Sequence, residues 1–215
     1  MTSLLPISPE MLLLIFPPFV PGPTLLMAFV LTIVVFLRER REVVFSEIGW
    51  GVLGRVIGAF LGAMIVGVVT QETLTVLAAS LVFVGLGLVL SGLSVPISGR
   101  NVVAIATLSG FMGTTSSIGG PPMALLYSGQ KGPKVRGTLS GIFIAGTLSA
   151  LFALWTVGKF GWDEIVLAGL LIPSVLLGFW ASRYSTRLLD RGFVKPAILM
   201  VSASAAGVIL VRHFL

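Results

Sequence analysis

The fold depends most on residues 110–122, which read Gly110-Phe-Met-Gly-Thr-Thr-Ser-Ser-Ile-Gly-Gly-Pro-Pro122. They interrupt an apolar run, Val102–Leu126, that is otherwise typical of a membrane-buried segment. Paired glycines and prolines do not continue a regular helix, and four hydroxyl side chains precede them. At membrane depth, an open backbone is tolerated only where protein or a water-filled cavity satisfies its polar groups. The stretch therefore predicts a helix break that forms a binding site, and a kink used only for helix packing is the simpler alternative.

The composition is that of a membrane protein. Of the 215 residues, 56% are hydrophobic and 10% are charged, whereas a soluble domain carries about 25% charged residues. The chain has no cysteine, which excludes disulfides and thiolate chemistry. Its formal net charge of +6 lies in short loops between apolar runs, where it sets topology. We therefore expect a lipid bilayer around the protein and no nucleic-acid partner.

The apolar runs predict an all-α polytopic membrane protein. Crossing the hydrocarbon takes about 20 helical residues, and most of the runs reach that length once their flanks are counted. The first run is too short to cross. The runs are Met11–Val20, Thr24–Leu37, Ile48–Val69, Leu74–Leu93, Val102–Leu126, Leu139–Val157, Ile165–Ala181 and Val194–Val211.

The basic loops favour a re-entrant path for the broken run. They are Arg38/Arg40/Arg41, Arg100, Lys131/Lys134/Arg136 and Arg183/Arg187/Arg191/Lys195. If the broken run crossed the membrane, Arg100 and the loop 131–136 would lie on opposite faces. If it dips in and returns, all the basic loops fall on one side, which the positive-inside tendency favours. The other side then holds Thr70–Thr73 and Gly158–Asp163, with a single lysine.

A weak internal match supports the same topology. When each residue is compared with the one 112 positions later, a few pairs are identical, and chance is the alternative explanation. The identical pairs include Pro9 with Pro121, Met11 with Met123, Pro21 with Pro133, and Gly49-Trp50 with Gly161-Trp162. With one dipping segment and three spans in each half, the second copy is inverted relative to the first. Two inverted repeats with broken segments are a recurring plan of secondary transporters. We expect 1–93 to form the first repeat and 94–215 the second, each with a broken segment followed by three transmembrane helices.

The same offset leaves part of the second repeat without a counterpart in the first. The first arm of the second break, residues 101–114, maps to positions −11 to 2, most of which precede Met1. We therefore expect the first re-entrant arm to be missing from this chain, so that Pro9–Phe16 is what remains of the first break.

These motifs resemble the TauE/SafE-type sulfite exporter family over nearly the whole chain. The similar stretches are Leu108–Gly113, Gly119–Pro122 and a Thr138-containing helix in the second half, and Phe19–Pro23, Arg38–Arg41 and Gly54–Gly62 in the first. The resemblance implies a multi-pass transporter of the bacterial inner (plasma) membrane that carries sulfite, sulfonates or related organosulfur anions without a cofactor. It leaves open whether transport is coupled to protons or sodium and whether the protein is a homo-oligomer.

The chemistry of the break suits an anion. Pro121 fits the first position of a helix, because the N–H that proline lacks would be unpaired there. A half-helix beginning at Pro121 directs its positive dipole end and nearby amides into the break, and hydroxyl groups can donate to oxyanion oxygens. Hydroxyls that bond back to their own helix are the alternative. The candidate ligand-binding residues here are Thr114, Thr115, Ser116, Ser117, Ile118, Gly119, Gly120 and Pro121.

Arg55 is the other candidate ligand-binding residue. It is the only cation well inside an apolar run, about 10 Å past Ile48 at the rise of an α-helix. Charged residues at such depth usually face a cavity or a partner, and the guanidinium fork matches an oxyanion. The alternative is that Arg55 extends outward to the basic face.

Other classes of function fit the residues less well. A serine nucleophile needs a base within hydrogen-bond reach, yet the single histidine, His213, is at the end of the chain and no acid lies within an apolar run. We therefore expect no catalytic residue, no metal site and no enzyme. A membrane assembly or scaffold protein is the main alternative to a transporter, and an ion channel is a weaker one because no acidic or carbonyl-rich filter is evident.

Overall fold

The computed structural model describes residues 21–127 and 132–189, and every regular element within them is helical. The elements are α1 (Gly22–Glu39), a 3-10 turn (Arg40–Glu42), α2 (Phe45–Val68), α3 (Gln71–Leu90), α4 (Gly99–Ser116), α5 (Gly120–Tyr127), α6 (Gly132–Thr156) and α7 (Trp162–Leu189). The all-helical prediction is confirmed. The predicted runs Met11–Val20 and Val194–Val211 lie outside the described residues.

Four described helices are long and apolar enough to cross a membrane. They are Gly22–Glu42, Phe45–Val68, Gln71–Leu90 and Lys134–Thr156. Large apolar side chains such as Val68, Leu90 and Leu170 are exposed on the outside of the bundle, while hydroxyl side chains such as Ser109 and Thr138 are fully buried. An apolar exterior around a partly polar interior is what a lipid-solvated bundle requires.

Glycines let α2 pack directly on the backbone of α4. A Cβ atom at Gly54 would meet the carbonyl oxygen of Val103, and one at Gly58 would meet that of Thr107. Gly62, a further four residues along, faces Thr114 near the end of α4. Small residues at this spacing allow helices to approach closely in lipid. The contact fixes the depth of α4 against α2, and therefore the position of the helix break.

The chain doubles back after α4. The amide of Val95, just before α4, donates to the carbonyl of Leu125 near the end of α5 at 3.1 Å. Val102, in the first turn of α4, shares a buried apolar cluster with Leu126 and Tyr127. The helices α4 and α5 therefore form a hairpin whose two ends lie side by side. A hairpin of this kind is compatible with the re-entrant path predicted for the broken run, and its placement in a membrane stays a prediction.

The basic loops that the structure describes gather at one end of the bundle. Arg136 Nη2 lies 3.1 Å from the carboxylate of Glu39, which also pairs with Arg38. Lys134 Nζ lies 3.8 Å from Glu47. Gly99, next to Arg100, contacts the ring of Trp50 in the first turns of α2; the fourth basic loop, residues 183–195, has no described side chains.

The opposite end of the bundle is built from different residues. Gly22 at the start of α1 packs against Phe160 and Glu164, close to the start of α7. The side chain of Thr70 caps α3 by accepting from the amide of Thr73 at 3.2 Å. The inverted relation between residues 1–93 and 94–215 stays a prediction, because much of it falls on residues outside the described ranges.

Candidate functional site

The helix break occupies residues 117–119. Ser117 ends α4 in the left-handed conformation, with φ of 61°, and its amide donates to the carbonyl of Gly113 at 2.9 Å. Its side chain lies 2.6 Å from the hydroxyl of Thr24 and 3.2 Å from the carbonyl oxygen of Pro21. These contacts fasten the tip of the α4–α5 hairpin to the beginning of α1. The chain then turns and begins α5 at Gly120.

The three hydroxyls that precede Ser117 bond to their own helix. Thr114 donates to the carbonyl of Gly110 at 2.9 Å, Thr115 to that of Phe111 at 2.8 Å, and Ser116 to that of Met112 at 2.7 Å. All three side chains are buried. In this conformation their protons are engaged by α4, so donation to a ligand would require the hydroxyls to rotate.

Arg55 lies in the interior of the bundle. It is ten residues beyond the start of α2, or about 15 Å at the rise of an α-helix. Only 2% of the residue is exposed. The side chain therefore does not extend outward to the basic end, as the snorkelling alternative required.

The guanidinium of Arg55 joins α2 to α4, the break and α6. Its Nη1 donates to the hydroxyl of Ser109 at 2.8 Å, and that hydroxyl donates in turn to the carbonyl of Gly119. The ring of Phe143 on α6 lies 4.3 Å from Cζ, in cation–π geometry. Arg55 Nε is buried and has no hydrogen-bond partner among the described residues.

No carboxylate in the described part of the chain neutralises Arg55. The ion pairs found there involve Glu39 and Glu47, which lie at the basic end of the bundle. A buried charge without an opposite charge is unfavourable, and intramembrane ionisable residues usually serve a ligand pathway or a partner. The guanidinium thus gives the centre of the bundle a positive potential that an anion can complement.

The three amides that follow Ser117 have no backbone partner in the described part of the chain. Within the described ranges, the N–H groups of Ile118, Gly119 and Gly120 donate to no backbone carbonyl, and Pro121 has no N–H to contribute. Gly120 is exposed, and a Cβ atom added there would meet no atom of residues 21–127 or 132–189 within 4 Å. Pro121 packs against Gly85 of α3. The first turn of α5 therefore presents its positive dipole end beside an open space.

Three contributors to the site were not predicted from the sequence. Ser109 lies four residues before Gly113 on the same face of α4, within the motif 108–113. This spacing is the only feature of the sequence that could have placed Ser109 at the site. Phe143 and Gly146 come from α6, and Gly146 packs directly against the Arg55 side chain. Nothing local to their sequence distinguishes them from ordinary helix-packing residues.

The described part of the chain shows no cluster of side chains that commonly bind metals. Residues 21–127 and 132–189 contain no group of three His, Cys, Asp or Glu side chains that could hold a metal ion. What they do contain is a bundle of apolar helices with a broken helix, unpaired amides and one buried cation near its centre. This combination defines the class: a multi-pass helical membrane protein with a polar interior site.

Comparison with known families gives a more specific result. The family model for the sulfite exporter TauE/SafE matches residues 6–209. The chain therefore belongs to the TauE/SafE family, and the resemblance noted from its motifs is confirmed. The family is one of membrane transporters, in agreement with the expectation that the chain is not an enzyme. Searches of curated proteins and of solved structures found no match.

Proposed function

We propose that this protein is a secondary transporter of sulfite, sulfonates or related organosulfur anions in the bacterial inner membrane, with its binding site at the break between α4 and α5. The observation that carries the proposal is the buried guanidinium of Arg55. It has no acidic partner in the described ranges and is joined to the break through Ser109. A small anion bound at the break supplies the missing negative charge.

The proposed site attracts an anion without holding it too firmly. Arg55 contributes one full charge, and the first turn of α5 contributes partial positive charge and amide donors. Water-soluble oxyanions lose their hydration on entering the bundle, and these groups replace it. Transport requires release as well as binding, so a site with one buried cation and neutral donors suits a transporter. Uphill flux would need a coupled ion, for which protons and sodium are the candidates.

The proposal is tested by flux through the purified full-length protein. Proteoliposomes preloaded with unlabelled sulfite should accumulate radiolabelled sulfite by counterflow, and methanesulfonate should compete. Empty liposomes give the background. If neither anion exchanges or binds, the transporter assignment fails for this chain and the scaffold alternative takes its place.

The location of the site is tested by Gly120→Leu. The fold tolerates the new side chain because no atom of the described residues lies within 4 Å of the position that its Cβ would take, but the side chain covers the amides of the break. We expect anion exchange to be abolished while the protein still inserts and purifies normally. Gly87→Leu on α3 is the matched control, since Gly87 is an equally open helical glycine. Unchanged exchange in Gly120→Leu would mean that the break is only structural.

A further inference from the structure

A polar relay links the buried cation to the backbone of the break. Arg55 Nη1 donates to Ser109 Oγ at 2.8 Å, and Ser109 Oγ donates to the carbonyl of Gly119. A serine hydroxyl has a single proton, so the direction of both bonds is fixed: Ser109 accepts from Arg55 and donates to Gly119. Ser109 has no exposed surface. Water therefore does not compete for the two hydrogen bonds of this relay.

The relay sets the orientation of one peptide unit. In a trans peptide, the carbonyl of one residue and the N–H of the next point in opposite directions. Because the Gly119 carbonyl is directed at Ser109, the N–H of Gly120 is directed away from α4. Gly120 itself is exposed, and no atom of the described residues lies within 4 Å of a Cβ placed there. A rotation of this peptide would turn a carbonyl, which repels anions, toward the same space.

We infer that Ser109 is a positioning residue for the anion, and that Arg55 acts partly through it. The inference rests on the proposed function. Ser109 holds the Gly119–Gly120 peptide so that its N–H faces the ligand, and a charged donor behind the hydroxyl strengthens its hold on the carbonyl. Arg55 Nε lies against Gly146 of α6, and it is buried without a hydrogen-bond partner in the described ranges. The ligand class is an oxyanion small enough to reach the first turn of α5.

The test compares Ser109→Ala with a matched serine. Ser149 on α6 is the control because its hydroxyl donates only to the carbonyl of Ala145 in its own helix, at 2.9 Å. Binding of sulfite and of methanesulfonate to the full-length protein in detergent is measured by titration calorimetry. Ser109→Ala should weaken both by about 10- to 150-fold, the effect of a hydrogen bond to a charged group, and Ser149→Ala should stay within about twofold of wild type.

A double-mutant cycle separates positioning from a merely structural role. Arg55→Lys and Ser109→Ala are combined, and the dissociation constants of the four proteins are compared. If Arg55 acts through Ser109, the double variant binds no more weakly than the weaker single variant. If the losses of affinity in the two single variants multiply in the double variant, Arg55 does not act through Ser109. Loss of thermal stability alone cannot produce this coupling in the dissociation constants.

A second variant keeps the inference testable if Ser109→Ala does not fold. Ser109→Cys preserves the size of the side chain but replaces the hydroxyl with a weak donor, so affinity should fall while the protein stays folded. Wild-type affinity in a folded Ser109→Cys or Ser109→Ala protein overturns the relay. Absence of binding to the wild type overturns the proposed function instead, so the two failures are distinguishable.

Discussion

The guanidinium of Arg55 occupies a space that glycines leave open. Cβ atoms at Gly113 and Gly119 would lie 3.2 and 2.9 Å from its terminal nitrogens. One at Gly146 would overlap Nε and the aliphatic part of the same side chain. The position of the buried charge is therefore set by the absence of side chains on α4, in the break and on α6.

Gly146→Ala tests this packing. The added methyl group cannot be accommodated unless Arg55 moves away from Phe143 and Ser109. Overpacking of this kind costs about 1–3 kcal/mol, so we expect a lower unfolding temperature in detergent and weaker sulfite binding. Both are measured on the same purified sample, by thermal unfolding and by titration.

Gly169→Ala on α7 is the matched control for this substitution. A Cβ atom at Gly169 meets nothing within 4 Å in the part of the chain that the structure describes, and alanine is favoured over glycine in a helix by about 0.5–1 kcal/mol. Sulfite affinity should be unchanged there, and stability equal or higher. If Gly146→Ala behaves like Gly169→Ala, the described packing of Arg55 is incorrect.

Substitutions of Arg55 separate the effect of its charge on anion binding from the effect of its planar shape. Arg55→Ala should weaken anion binding by about 10- to 150-fold, because a charge-assisted contact is lost. Arg55→Lys should restore binding only in part, since lysine keeps the charge but not the planar fork. Titration with sulfite checks both. Normal affinity in both variants would show that the guanidinium takes no part in binding.

At the scale of elements, the α4–α5 hairpin makes a prediction about distance. The backbones of Val95 and Leu125 are joined by a hydrogen bond of 3.1 Å, which places their Cα atoms within the range that a disulfide spans. The chain contains no cysteine. Val95→Cys combined with Leu125→Cys should therefore cross-link under mild oxidation, seen as a mobility shift that a reductant reverses.

A distant pair supplies the control for the cross-link. Val95→Cys combined with Thr73→Cys joins residues at opposite ends of the bundle, and we expect no intramolecular disulfide. If the hairpin pair also fails to cross-link in membranes, α5 does not return beside the entrance to α4. The re-entrant path would then be excluded.

The hairpin also shows which features can be inferred from sequence. The break follows from backbone chemistry that is local, because Gly119, Gly120 and Pro121 restrict the chain wherever they occur. The return of the chain follows from the charges of the flanking loops. Both required only the order of residues along the chain, so both were predictable.

The details of the site depend on contacts between distant elements. Ser116 was expected to face a ligand, and the structure shows it donating to Met112; whether such a hydroxyl turns toward a cavity or its own helix depends on its rotamer and neighbours. Phe143 meets Arg55 although the two residues are 88 positions apart in the sequence. Tertiary packing of this kind leaves no local pattern to recognise.

At the scale of the whole molecule, charge divides the two ends of the bundle. Arg38, Lys134 and Arg136 lie at one end with their acidic partners, whereas Glu164 contacts the start of α1 at the other. Positive loops usually stay in the cytoplasm. We expect the end that carries Arg136 to be cytoplasmic.

Cysteine labelling in intact cells tests this orientation. Ser98→Cys and Lys134→Cys should resist a membrane-impermeant thiol reagent added from outside and react after the cells are opened. Thr73→Cys should react from outside and serves as the reference for the opposite end. Labelling of positions 98 and 134 from different sides would contradict the hairpin, and labelling of both from outside would reverse the assigned orientation.

The hairpin has a consequence for how the protein enters the membrane during synthesis. No charged residue occurs between Arg100 and Lys131, and both ends of the hairpin lie at the basic end of the bundle. The insertion machinery therefore has no hydrophilic loop of this segment to move across the bilayer. The tip at Ser117 is secured only when it meets Pro21 and Thr24, so α1 must already be in place. We expect the hairpin to reach its final position late, when the surrounding helices pack against it, rather than to insert as an independent pair of spans.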